Sequence, residues 1–112
     1  MALIADDARD RAEQILVMTE RLTAIAAEET RLIEARAPLP TAGSEEKNRL
    51  TNAYRLELAR VKQDPGLIKE APPELLAELR RRTLTLHETL AAHEIALSAV
   101  KALSEGLVHA MA

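Results

Sequence analysis

Cysteine, phenylalanine and tryptophan are all absent from this chain, and Tyr54 is its sole aromatic residue. Without cysteine there can be no disulfide and no thiolate metal site. Without large rings, the interior has to be filled by layers of aliphatic side chains. Strand signals are missing too, because nowhere do β-branched or aromatic residues alternate with polar ones over several positions. No apolar run is long enough to span a bilayer. No signal peptide opens the chain, since residues 1–5 run straight into Asp6 and Asp7. Opposite charges are interleaved to a net −3, which leaves no basic footprint for nucleic acid. Together these absences fit a cytoplasmic protein without membrane insertion.

Ala, Leu, Glu and Arg dominate instead, and these residues lose little rotamer freedom in a helix. The 112 residues form one domain's worth of chain. Periodicity and punctuation predict three helices within it, over about 6–37, 45–63 and 73–111. In the first, Ile4, Ala8, Ile15, Met18, Leu22, Ile25 and Leu32 recur at three- and four-residue steps, making one stripe. Arg11 and Glu29 occupy the two stripe positions that are not apolar. Asp6, Asp7 and Asp10 oppose the positive helix N-terminus, and Asp7 to Arg11 reads as a local acid-to-base pair.

Pro38 and Pro40 end that helix, because proline lacks the donor N–H and disfavours helix in the residue before it. Ser44 is a good N-cap for the second helix, whose inward face reads as Leu50, Tyr54, Leu58 and Val61. Asp64-Pro65-Gly66 stops it, and a short connector follows from Leu67 to Ala71. Pro73 suits the first position of the third helix. Leu76, Leu79, Leu86, Leu90, Leu97, Val100, Leu107 and Met111 form its seam, with Thr83, His93 and Ser104 as polar members. The expected fold is all-α, an elongated three-helix antiparallel bundle or helical hairpin with coiled-coil-like packing.

At about 1.5 Å per residue, the three helices span roughly 48, 28 and 60 Å. The second can cover only part of either long one. Charge is also uneven. Residues 83–112 hold one of the 15 Lys/Arg residues and three of the 18 Asp/Glu residues, namely Lys101, Glu88, Glu94 and Glu105. A helix packed along one seam normally carries a charged outer face. Here that face is mostly Ala, Ser, Thr and His, and apolar residues spread off the seam at Leu84, Ile95, Leu103 and Val108. One explanation is a contact surface for another protein, either a client or a second copy. The other is that this is the best-buried helix of the bundle. The length mismatch favours the partner. The candidate protein-binding residues are Leu86, Leu90, Leu97, Val100, Leu103, Leu107 and Met111.

No catalytic centre is expected, and no cofactor or metal. His87, His93 and His109 are not spaced one helical turn apart, as a helical zinc site requires. His87-Glu88 and His93-Glu94 begin like the zinc-protease H-E-x-x-H motif, but Ala91 and Leu97 stand where the second histidine belongs. His93 is expected to be merely tolerated on the seam, with a role in register or pH sensing as the alternative. Glu29 is either a buried carboxylate with a partner across the seam or a solvated residue near the open end, and the second reading is favoured. Arg80-Arg81-Arg82 reads as a solvated face, with Glu78 as a local partner for Arg82. No serine sits on a strand–turn–helix elbow, and the three glycines form no phosphate-cradling loop.

From about Arg11 to Met111 the chain resembles the FlgN family of bacterial flagellar export chaperones. Leu22 and Glu29, in Leu22-Thr23-Ala24-Ile25-Ala26-Ala27-Glu28-Glu29, are similar to that family's opening helix. Glu46-Lys47-Asn48-Arg49-Leu50 resembles its "E-K-x-x-L" start of the second helix, and Leu75 to Leu107 its long amphipathic last helix. A divergent version, a basal-body-associated protein encoded in some flagellar operons, fits the same residues equally well. The resemblance implies a cytoplasmic helical protein that binds hook–filament junction proteins before type III export. It also implies that the client docks toward the C-terminal helical region. The other reading, from a different class, is a structural coiled-coil adaptor that self-associates and has no transient client.

Overall fold

The computed structural model describes residues 7–39 and 42–111, with side chains described at 7–39, 45–99 and 102. The described residues are all helical or connecting, with no strand among them. Four helices follow one another: α1 (Ala8–Glu34), α2 (Ala42–Gln63), α3 (Gly66–Lys69) and α4 (Pro73–Met111). The expected count of three needs correction, because the connector after α2 itself winds into α3. There Asp64 accepts a hydrogen bond from the Gly66 N–H at 3.1 Å and starts the turn. α3 then brings the half-buried Ile68 against the core.

The ends of α1 are set by local chemistry. Asp7 is its N-cap, and its side chain accepts from the Asp10 N–H at 2.7 Å. The helix stops three residues short of the expected 37. Ala37 donates to Leu32 O at 2.9 Å and Arg36 donates to Ile33 O at 3.0 Å. These are the paired bonds of a Schellman motif, and they place Arg36 in the left-handed region at φ 56°. α2 begins two residues before the expected Ser44 cap, so position 44 lies inside the helix. Pro73 opens α4 as its spacing suggests. Ile4 and Asp6 lie outside the described residues.

α1 is the central element. It packs against each of the other three helices, whereas α2 and α4 make no close backbone approach to each other among the described residues. Pairs across the interfaces give the directions. Arg11 meets Glu57 and Arg21 meets Glu46, so α1 and α2 are antiparallel. Glu20 lies opposite Arg82 and Glu29 opposite His93, so α1 and α4 run parallel. Antiparallel order therefore does not extend to the two long helices, and they do not form a hairpin. The molecule measures 60 × 24 × 23 Å.

The core is a cluster of Ile15, Met18, Leu22, Ala53, Tyr54, Leu79 and Leu86. It stays aliphatic except for Tyr54, whose hydroxyl is buried without a hydrogen-bond partner. The buried face of α1 departs from the expected stripe in its second half, where Ala26 and Ile33 are buried rather than Ile25 and Leu32. On α2 the inward position expected for Leu58 belongs to Glu57, and Leu58 is exposed. Small residues recur along the buried face of α1, at Ala12, Thr19 and Ala26. The buried Thr19 hydroxyl is satisfied by donating to Ile15 O at 2.8 Å.

Candidate interaction surface

Two things follow from the parallel packing of α1 and α4. The last turn of α1, at Ile33 and Glu34, lies beside Ala92, Ala96 and Ala99 of α4. α4 continues as helix to Met111, so its final turns run past the end of α1. In addition, the buried line of α4 does not follow its leucines. Leu79 and Leu86 point inward as expected, and Leu86 is only 2 % exposed. After Leu86 the inward positions are Thr89, His93 and Ala96. Thr89 is half-buried, and its hydroxyl donates to Thr85 O at 2.8 Å.

Leu90 and Leu97 are displaced from the seam by this shift and stand 46 % and 43 % exposed. Leu84 and Ile95, nearly opposite the core, are 60 % and 71 % exposed. The structure therefore separates the candidate binding residues. Leu86 belongs to the core and holds the fold together, which removes it from any surface. Leu90 and Leu97 share one exposed face, seven residues apart. Val100, Leu103, Leu107 and Met111, together with Ser104 and His109, lie outside the described side chains. Leu84 and Ile95 were recognisable in the sequence as off-seam apolar residues, and they form a second exposed line.

Beside this surface a polar cluster ties three helices together. Glu29 of α1 accepts from Lys47 Nζ of α2 at 2.8 Å, and His93 Nε2 of α4 stands 3.0 Å from the same carboxylate oxygen. The favoured expectation of a solvated Glu29 is corrected, because its side chain is largely buried and has partners on two other helices. Burial pushes the Glu29 carboxyl up. The hydrogen bonds and charges of Lys47 and His93 outweigh that and hold it below the ordinary carboxylate range. His93 is thus a bonded seam residue.

A second polar cluster lies near the other end of α1. Arg11 does not pair locally with Asp7; it reaches the fully buried Glu57, which also accepts from Arg60 at 3.1 Å. The run Arg80-Arg81-Arg82 is exposed, and Glu78 accepts from both Arg81 and Arg82. No set of three or more metal-ligating side chains gathers among the described residues. No helix among them is long and apolar enough to cross a membrane.

No family model matches the chain, and no solved structure matches it. A protein of Caulobacter vibrioides, the flagellar basal-body protein FlbY, is 41% identical over 113 residues, an alignment that takes in 100% of this chain and 76% of that protein. Identity of that extent across the whole chain makes the relationship one of family, and it agrees with the flagellar side of the resemblance in the sequence. The chain belongs to the family of the flagellar basal-body protein FlbY.

Proposed function

We propose that this chain serves flagellar assembly as a cytoplasmic export chaperone. On this reading it covers an amphipathic helix of a hook–filament junction protein until the type III export apparatus takes it. The client lies along the second half of α4 in a coiled-coil-like contact centred on Leu90 and Leu97. The observation that carries the reading is the exposure of both leucines on a helix that outruns its partner α1. An apolar face left open in this way suits helix-in-groove recognition. The chemistry is shielding, with no cofactor, metal or covalent step.

The test mixes the purified chain with a peptide from the C-terminal helix of a junction protein. A complex should elute on a sizing column, and Leu97→Asp should abolish it without changing the circular dichroism of the free chain. A complex indifferent to Leu97→Asp would remove the site. A concentration-independent dimer that buries Leu90 and Leu97 and refuses the peptide would replace this reading with the structural, self-associating one.

A further inference from the structure

Two exposed lines of side chains on this molecule carry matching spacing and opposite charge order. On α1, Glu13, Val17 and Arg21 follow one another at four-residue steps, and all three are exposed. On α4, Arg80, Leu84 and Glu88 do the same. The central residues, Val17 at 65 % and Leu84 at 60 %, are among the most exposed large apolar side chains described. Glu13, Val17 and Arg21 line an open groove of about 970 Å³ between α1 and α2, whose apolar lining is completed by Met18 and Leu50. Arg80 and Glu88 make no ion pair among the described residues. Among the described residues, Glu13 and Arg21 are held only by exposed pairs with Arg9 and Glu46. Pairs of that kind contribute little and can be shared.

We propose that a second copy of this chain lays its α4 in the α1–α2 groove, parallel to α1. Arg80 then meets Glu13, Leu84 meets Val17, and Glu88 meets Arg21. One step further along each helix, Ala91 meets Ala24, two exposed small residues that let the backbones approach. Charge sets the direction, because an antiparallel α4 would place Arg80 on Arg21 and Glu88 on Glu13. This face of α4 is about 120° around the helix from Leu90, so the contact is separate from the proposed client surface. The two contacting surfaces differ, so the contact is heterologous. Two copies so joined keep one free groove and one free α4 face between them, and α1 and α4 of every copy point the same way. Such a contact closes into a ring or continues as an open file, and does not stop at a two-fold dimer.

Sedimentation velocity on the full chain, from micromolar to near-millimolar concentration at low salt, tests this. Mass should rise with concentration past two copies, and added salt should weaken the association. Leu84→Asp should leave a monomer with unchanged circular dichroism. Glu13→Arg and Arg80→Glu should each weaken association about tenfold by setting like charges together. The double variant Glu13→Arg/Arg80→Glu should recover it. A chain that stays monomeric throughout, association that saturates at two copies, or association indifferent to Leu84→Asp and both reversals would each overturn the proposal.

Discussion

The apolar stripe of α1 is interrupted by charge at Arg11 and again at Glu29, and both charges are answered from α2. The surroundings differ. Arg11 reaches a Glu57 that is fully buried and also held by Arg60. Glu29 is largely buried but keeps 18% of its side chain exposed, and its partner Lys47 is 41% exposed. Glu57 of the first cluster is fully buried, so a missing partner there leaves a carboxylate that water reaches poorly. The second is reached by solvent, so its bonds are individually exchangeable. It is also the only polar tie among the described residues between α1 and α4 at the end where Leu90 and Leu97 stand open. The contrast sets apart a fixed end, where the register of α2 on α1 is set, and a looser end, which is where the proposed client would meet α4.

The largest difference between the two ends is expected at Arg11. Arg11→Ala should cost about 3 kcal/mol, because Glu57 then keeps only the half-exposed Arg60 as partner. Urea unfolding at neutral pH measures it. Replacing the pair together, with Arg11→Met and Glu57→Leu, should return most of that loss, since two apolar groups need no solvation. If the double variant is as unstable as the single, burial of an unpaired charge is not the cause.

At the looser end, Glu29→Gln should cost about 1 kcal/mol at neutral pH, the size of a partly screened ion pair. Its pH dependence has a definite sign. The folded state holds the Glu29 carboxyl below its ordinary value. The contribution of Glu29 is therefore complete above about pH 4.3, the ordinary glutamate value, and is lost as the pH falls through the lower folded one. The stability difference between the native chain and Glu29→Gln should then be largest at neutral pH and should vanish in acid. A difference that persists unchanged in acid would assign the effect to packing.

The same two clusters mark how far the sequence could be read. Helix boundaries were legible to within a few residues, because Pro38, Pro65 and Pro73 act on their own neighbours. Glu29 was legible as an anomaly on the stripe, but its partners are 18 and 64 residues away and no local pattern points to them. Arg11 was assigned to Asp7 for the same reason, since a four-residue pair is visible where a pair with Glu57 is not. On α4, reading the seam by hydrophobicity chose Leu90 over Thr89 and Leu97 over Ala96. The close, parallel approach of α1 selects the smaller side chains, and backbone-bonded threonine and alanine fit where leucine does not. The uncovered character of the last helix was legible because charge is sparse there. Which of its leucines stay uncovered depends on α1 and could be known only from the packing.

The smallest effect expected is at Arg36, where α1 ends beside Ala92 and Ala96. The Schellman bonds to Ile33 and Leu32 require a left-handed residue, and a side chain there costs about 1–2 kcal/mol against glycine. Glycine in turn costs about 0.5–1 kcal/mol through the greater freedom of the unfolded chain. Arg36→Gly should therefore raise stability by about 0.5 kcal/mol, the difference between these two terms. Because the gain falls at the looser end, it should slow amide exchange in the last turns of α1 and leave exchange around Ile15 and Ala53 unchanged. Equal slowing at both ends would mean that α1 opens as a single unit, and the contrast between its two polar clusters would then be one of chemistry without a matching difference in local stability.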